Sequence, residues 1–79
     1  MTDSAKVRSL IGKRGLKLSY VAEMLGISSY SLALKIDNKN EFKSSEVSAM
    51  CDLLNINDLQ VKEDIFFAKE VDLKSTIQQ

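Results

Sequence analysis

The chain has 79 residues, with eleven Lys and Arg balanced by eleven Asp and Glu, a single cysteine, and neither histidine nor proline. A chain of this length forms at most one domain with a modest core. One cysteine cannot form an internal disulfide, and without histidine neither a thiolate–imidazole pair nor a Cys/His zinc site can be assembled. We therefore expect no enzyme: no catalytic residue, no metal and no cofactor.

The apolar runs are too short to cross a bilayer, and the first residues lack the basic-then-apolar order of a secretory signal. Cytoplasmic residence is the simplest expectation for a chain with one cysteine. We expect no membrane partner, and no small-molecule substrate is evident.

Charge is distributed unevenly along the chain. Residues 1–43 carry eight Lys and Arg against four Asp and Glu, whereas residues 44–79 carry three against seven. A basic half suits contact with phosphate. Solvated surfaces also reach such an asymmetry by chance, so it does not identify a partner alone.

A first helix is predicted from a cap at Asp3 or Ser4, with apolar residues at helical spacing. These are Val7, Leu10 and Ile11. The run Lys13-Arg14-Gly15 ends it, since cations favour the last turn of a helix and glycine the position beyond it.

The segment from Leu18 to Lys39 is the most informative. It predicts a short helix from about Ser19 to Leu25, a break at Gly26, and a second helix that Ser28 or Ser29 caps and that reaches Ile36. The small, glycine and apolar residues at Ala22, Gly26 and Leu32 let two helices cross closely. This pattern is typical of a helix-turn-helix, whose second helix can enter a DNA major groove.

Beyond this motif, Asn38 is expected in a left-handed conformation, and residues 39–43 form a loop that Phe42 anchors in the core. A fourth helix is capped by Ser44 or Ser45, and a fifth begins at Asp58 or Leu59 and continues towards Phe66. The apolar face of the fourth helix comprises Val47, Met50, Cys51 and Leu54, so Cys51 is expected in the core.

Phe66 and Phe67 are adjacent, so both cannot face one core from a helix. One should pack inside, and the other is a candidate dimer contact. We divide the chain into a DNA-binding domain over residues 1–67 and a C-terminal tail over residues 68–79. The tail is a dimerisation element, an edge strand, a packed extension or a frayed end.

The segment Leu16–Ser28, followed by Leu32 and by Asp37-Asn38-Lys39, resembles the Cro/repressor class of helix-turn-helix proteins. Further matching segments are Phe42–Glu46, Leu53–Ile56, Ile65–Ala68, Val71-Asp72 and Ser75-Thr76. The resemblance covers roughly residues 5–76. It implies an all-α fold, a compact bundle of about five helices like the lambda repressor DNA-binding domain with a short C-terminal extension. It also implies transcriptional control of the phage type by a DNA-binding dimer.

Three positions depart from the family pattern. Leu18 stands where many members have a phosphate-contacting glutamine, so Ser19 has to supply that contact. Lys35 stands where many members bury leucine, and a rotation of the helix would let Leu34 or Ile36 fill the core instead. Asn38 replaces the commoner glycine.

Residues at the start of the second motif helix, and one turn on, are the expected DNA readers. The candidates for base contact are Ser28, Ser29, Tyr30, Ala33 and Leu34. The candidates for phosphate contact are Lys17, Ser19, Lys35, Asn38, Lys39, Asn40 and Lys43. Tyr30 could instead merely cover the surface, Leu34 could belong to the core or an interface, and Lys39 could be a solvated turn residue.

The sequence thus predicts a sequence-specific transcriptional regulator that binds a double-stranded DNA operator as a homodimer and blocks polymerase. A protein-interaction module, such as an antirepressor that binds a partner regulator, is the alternative. The weak base-reading set and the zero net charge favour that alternative slightly.

Overall fold

The computed structural model describes residues 1–68, which form five α-helices and no strand. The helices are α1 (Ser4–Lys13), α2 (Leu18–Leu25), α3 (Ser29–Ile36), α4 (Ser44–Leu53) and α5 (Leu59–Phe66). The predicted all-α bundle of about five helices is confirmed. None of these helices is both long and apolar enough to span a membrane. The expectations for the tail, apart from Ala68, lie outside the described residues.

One apolar core joins all five helices. Its fully buried side chains come from α1 (Val7), α2 (Val21), α3 (Leu32, Ile36), α4 (Met50) and α5 (Ile65). Cys51 belongs to this core, as predicted, and burial raises the pKa of its thiol. A raised pKa leaves little thiolate at neutral pH, so this cysteine is poorly suited to redox chemistry.

Two phenylalanines close the end of the core near the loop between α3 and α4. Phe42 packs against the core, and its ring meets that of Phe66 edge to face, with 5.7 Å between the ring centroids. Phe66 is buried, whereas 54% of the surface of Phe67 is exposed. The predictions that Phe42 anchors the loop, and that only one of the two adjacent phenylalanines packs inside, are both confirmed.

Side chains that accept hydrogen bonds from free N–H groups begin most of the helices. The Asp3 carboxylate accepts from Lys6 N, the Ser28 hydroxyl from Ser31 N, and the Asp58 carboxylate from Gln60 N. The predicted cap of α4 is wrong, because Ser44 is already its first helical residue. Instead, Glu46 reaches back and accepts a hydrogen bond of 2.8 Å from Lys43 N.

Four of the five helices end in the same way. A residue with positive φ follows each of α1 to α4: Gly15, Gly26, Asn38 and Asn55. The next N–H then donates to the carbonyl five residues back, at distances of 2.8–3.1 Å. Glycine and asparagine tolerate this left-handed conformation, which satisfies a carbonyl at the helix end and turns the chain sharply. The expected conformation of Asn38 is therefore confirmed.

The first residues bind to the ends of α3 and α5. Thr2 is buried; its N–H donates to Asn38 Oδ1 at 2.7 Å, and its carbonyl accepts from Asn38 Nδ2 at 2.8 Å. The N–H of Asp3 donates to the Ile65 carbonyl at 2.7 Å, and the Ser4 hydroxyl donates to the Ile36 carbonyl. The N-terminal segment therefore fixes the C-terminal end of α3 within the bundle.

Two glycines offer a matched test of this backbone. Gly26 has φ of 74°, whereas Gly12 is helical, and a Cβ at either position would meet no atom within 4 Å. Gly26→Ala should lower the free energy of unfolding by about 1–2 kcal/mol, because the left-handed conformation is strained for alanine. Gly12→Ala should raise it by about 1 kcal/mol through helix propensity. Urea unfolding measures both, and a neutral Gly26→Ala would contradict this account of the α2–α3 turn.

Candidate nucleic-acid interface

Helices α2 and α3 form the centre of the candidate interface. They are joined by residues 26–28 only, and α2 packs against both α3 and α4. Ala22 is buried in α2, and Leu32 and Ile36 are buried in α3, so both helices turn their apolar faces inward. The opposite face of α3 is left without a covering element in the described part of the chain.

Tyr30 is the most prominent residue of that outer face. It is 75% exposed, the highest value among the large hydrophobic side chains of residues 1–68. Ser29 is exposed beside it, and Ala33 and Leu34 are half-buried one turn on. Leu34 is not part of the core cluster, so no rotation of α3 has brought it inside. Four of the five predicted base-contact residues therefore share this outer side of the helix.

Ser28 has a structural role at the start of α3. Its hydroxyl oxygen accepts a hydrogen bond of 3.0 Å from Ser31 N, which caps the helix. A hydroxyl that accepts in this way still has its own proton to donate. Ser28 is exposed and can therefore serve as a cap and also offer one donor to a partner.

Predicted phosphate-contact residues lie at two places, the start of α2 and the loop after α3. Lys17 and Ser19 are exposed at the start of α2, a helix start that no side-chain hydrogen bond caps. Lys39, Asn40 and Lys43 are exposed in the loop between α3 and α4. Free N–H groups at a helix start and nearby ammonium groups both suit an anion.

The loop after α3 differs from the other three left-handed helix ends. After α1, α2 and α4, the next residue is apolar and packs against the core: Leu16, Ile27 and Ile56. After α3 the corresponding residue is the exposed Lys39. This helix end therefore directs a cation to solvent where the others direct an apolar side chain inward.

Lys35 does not occupy the place that phosphate contact requires. It is only 8% exposed, and its ammonium nitrogen lies 2.6 Å and 2.7 Å from the two carboxylate oxygens of Glu46. The expected phosphate contact is corrected, because this charge is enclosed and already paired. Of the two residues expected to fill the core, Ile36 does so and Leu34 does not, but no rotation removes Lys35, which remains on the inner side of the helix.

Asn38 is also assigned differently by the structure. Both polar atoms of its carboxamide bind the backbone of Thr2, at 2.7 Å and 2.8 Å. The expectation of a phosphate contact is therefore corrected, because this side chain holds the N-terminal segment against the end of α3.

Pairing reduces the number of cations that remain for a polyanion. Arg8 makes two hydrogen bonds, of 3.0 Å and 3.1 Å, to the carboxylate of Asp37, and Lys35 is neutralised by Glu46. Among the predicted phosphate contacts, Lys17, Lys39 and Lys43 are the cations without a salt bridge in the described residues. The Lys35–Glu46 pair lowers the excess positive charge of residues 1–43 by one, whereas Arg8 and Asp37 both belong to that half and leave it unchanged.

Sequence reasoning missed Glu46. A lysine three residues after Leu32 lies on the apolar face of its helix, and a buried charge requires a partner. That requirement was a usable signal, but the partner lies eleven residues away, and Asp37 and Glu41 are both nearer in sequence. Only the packing of α3 against the start of α4 selects Glu46.

Three influences determine the pKa of Glu46. Burial by itself raises the pKa of this carboxyl group, but hydrogen bonds from the Lys35 ammonium and Lys43 N, together with the charges of both lysines, outweigh it. The net result is a pKa below the ordinary value of 4.5. The carboxylate is therefore ionised throughout the neutral range and keeps the pair intact.

No protein-family model, curated protein or solved structure matches this chain.

The lowered pKa predicts a specific dependence of stability on acid. Because the folded-state pKa lies below the unfolded one, the ionised carboxylate stabilises the fold fully above the unfolded pKa. That contribution disappears as the pH falls through the folded pKa. Glu46→Gln should therefore unfold at lower urea concentration than the wild type at pH 7, and the difference should shrink below about pH 4.5.

The difference in unfolding free energy between the wild type and Glu46→Gln isolates Glu46, because the other carboxyl groups titrate in both proteins and their contributions cancel. Urea unfolding at several pH values between neutral and strongly acidic measures the difference. A difference that stays constant over this range would show that the Glu46 carboxylate is not stabilised by its partners.

Proposed function

We propose that this protein is a sequence-specific DNA-binding transcriptional regulator, of the Cro-like or repressor-like phage type, that binds its operator as a dimer. The observation that carries the proposal is the exposed outer face of α3. A short helix whose inner face is fully buried presents Tyr30 to solvent, with exposed lysines at the start of α2 and in the loop after α3. An exposed helix face, with cations on the preceding helix and in the following loop, suits binding in a major groove.

Base reading would rest on few direct hydrogen bonds. Ser28 and Ser29 can contact several bases, and Ala33 and Leu34 offer apolar contact to thymine methyl groups. Tyr30 can place its ring against a base or its hydroxyl on a phosphate. Because no Arg, Asn or Gln occurs among these residues, the shape and deformability of the operator would contribute much of the specificity.

Phosphate contact would come from two places. Lys17 and Ser19 would bind phosphate at the uncapped start of α2, and Lys39, Asn40 and Lys43 would bind phosphate in the loop after α3. Three free lysines predict that log Kobs falls with log[salt] with a slope of about −3 per bound chain. Such a slope is moderate, because Lys35 and Arg8 are engaged within the protein.

Dimerisation would place two copies of α3 on successive half-sites of an operator. The candidate for the contact is Phe67, whose side chain is exposed just after α5. A bound dimer would then occlude a promoter from polymerase.

The function is tested by selection from a pool of random duplexes, followed by gel-shift measurements over a salt series. An enriched sequence that binds more tightly than random duplex, and whose binding weakens with salt at the predicted slope, supports the proposal. A chain that enriches no sequence contradicts it.

A protein-interaction module, such as an antirepressor, is the second candidate. The observation that favours it is that Tyr20 and Met24 on α2 are exposed, as Tyr30 on α3 is, so several large apolar side chains are available to a protein partner. Binding of a partner regulator, with no operator binding, would support this alternative.

Single substitutions should separate the two kinds of DNA contact. Tyr30→Ala should reduce the ratio of operator affinity to random-duplex affinity, since Tyr30 lies on the reading face. Lys39→Ala should weaken both affinities alike and reduce the salt slope by about 1. Lys62→Ala, which removes the same charge from α5, serves as the control and should leave both affinities unchanged.

Gel-shift titrations of the four proteins at several salt concentrations measure these effects. If Tyr30→Ala and Lys39→Ala both bind like the wild type, the recognition surface lies elsewhere on the molecule.

A further inference from the structure

The buried face of α3 contains a charge. Lys35 lies on the same side of the helix as Leu32 and Ile36, which are fully buried. Its ammonium group makes two short hydrogen bonds, one to each oxygen of the Glu46 carboxylate. These are the only bonds between charged side chains that join α3 to α4 within residues 1–68.

Glu46 is itself held in place. One of its oxygens accepts a hydrogen bond of 2.8 Å from Lys43 N, and its neighbours Val47 and Met50 are buried. The carboxylate is therefore fixed to the first turn of α4. Hydrogen bonds therefore connect the Lys35 side chain on α3, through the Glu46 carboxylate, to the backbone N–H of Lys43 just before α4.

Stability alone does not explain a charged pair in this place. Replacing a buried ion pair by apolar residues of similar volume is often neutral or stabilising, by about 1–4 kcal/mol. An apolar side chain at residue 35 would bury surface without any preferred direction. Two charge-assisted hydrogen bonds, in contrast, fix the direction of the side chain and hence the rotation of its helix.

Small rotations of α3 would matter at its outer face. Tyr30 and Lys35 are five residues apart, which places them about 140° apart around the helix axis. For a side-chain atom about 6 Å from the axis, a rotation of about 20° is a displacement of about 2 Å. Contacts that specify a partner tolerate errors of only about 0.5 Å.

We propose that Glu46, acting through Lys35, is a positioning residue that sets the rotation of α3 and thereby the sequence specificity of DNA binding. This inference rests on the proposed function. Glu46 touches no DNA; it determines where Ser29, Tyr30 and Ala33 meet the base edges. Phosphate contacts depend on the start of α2 and on the loop after α3, so they depend less on this rotation.

A second ion pair provides a matched control. Arg8 and Asp37 also join α3 to a neighbouring helix, but both side chains are nearly half exposed. Exposed pairs contribute little to stability and restrain their helices weakly. A double substitution at either pair removes one cation and one anion, so the net charge, which affects all DNA binding, is unchanged.

The test compares the wild type with Lys35→Met/Glu46→Gln and with Arg8→Met/Asp37→Asn. Gln keeps the length of the Glu side chain, Met matches the Lys side chain as far as Cε, and the Gln carbonyl can still accept from Lys43 N. The affinities for the selected operator and for a random duplex of equal length are measured by gel shift, with circular dichroism to establish folding. A loss of folded protein lowers both affinities equally, so their ratio reports the reading face alone.

Lys35→Met/Glu46→Gln should lower the ratio of operator affinity to random-duplex affinity about tenfold, which is the cost of roughly one mismatched base pair. Its random-duplex affinity should stay within about twofold of the wild type. Arg8→Met/Asp37→Asn should leave the ratio unchanged. Glu46→Asp keeps the charge but shortens the side chain by one methylene, so it should reduce the same ratio by a smaller factor. This variant provides the test if the double variant does not fold.

If the wild type prefers its operator and both Glu46 variants that fold keep the full preference, Glu46 does not position α3, although the proposed function stands. An equal loss of preference in the Arg8→Met/Asp37→Asn control would also overturn the proposal. A wild type without any operator preference overturns the proposed function, and the role of Glu46 in specificity falls with it.

Discussion

The left-handed helix ends determine the arrangement of this protein. No helix in residues 1–68 exceeds ten residues, so the orientation of each depends on the turn that precedes it. The chain turns at Gly15, Gly26, Asn38 and Asn55, and in each case the N–H of the following residue donates to the carbonyl five residues before it. Three of these turns place an apolar residue in the core, and the fourth presents Lys39 to solvent. The same left-handed turn thus orients the helices of the bundle and, at the end of α3, leaves Lys39 exposed.

The buried ion pair adds a different kind of constraint. Apolar packing brings α3 against its neighbours, but it does not define a single rotation of the helix. The hydrogen bonds between Lys35 and Glu46, and from Lys43 N to Glu46, are directional. Together with the binding of Thr2 by Asn38, they hold α3 at its inner face and at its C-terminal end. The outer face is thereby presented in one orientation.

Most of the helices could be predicted from sequence because their signals are local. Helical spacing, caps such as Asp3 and Asp58, and the glycines and Asn38 act within a few residues of each other. The partner of Lys35 could not be predicted, because a lysine on an apolar face is compatible with a rotated helix or with a distant carboxylate. The cap of α4 was missed for the same reason: Glu46 serves α4 and Lys35 together, so Ser44 and Ser45 are not needed.

The candidate site was predicted less completely than the fold. The exposure of Tyr30, Lys17 and Lys39 follows from the periodicity of the helices and loops. The burial of Lys35 and the hydrogen bonds between the Asn38 side chain and Thr2 depend on contacts between distant segments, and residue spacing along the chain does not predict such contacts. Two of the seven predicted phosphate contacts, Lys35 and Asn38, are thus engaged within the protein.

Whether α3 reads DNA is decided by a map of backbone amide chemical shifts during titration with a duplex enriched from a random pool. We expect the shift changes to concentrate at the start of α2, along Ser29, Tyr30 and Ala33, and in the loop from Lys39 to Lys43. Shifts confined to other surfaces, or none at all at a concentration that saturates a filter-binding assay, would contradict the assignment of α3 as the DNA-reading helix.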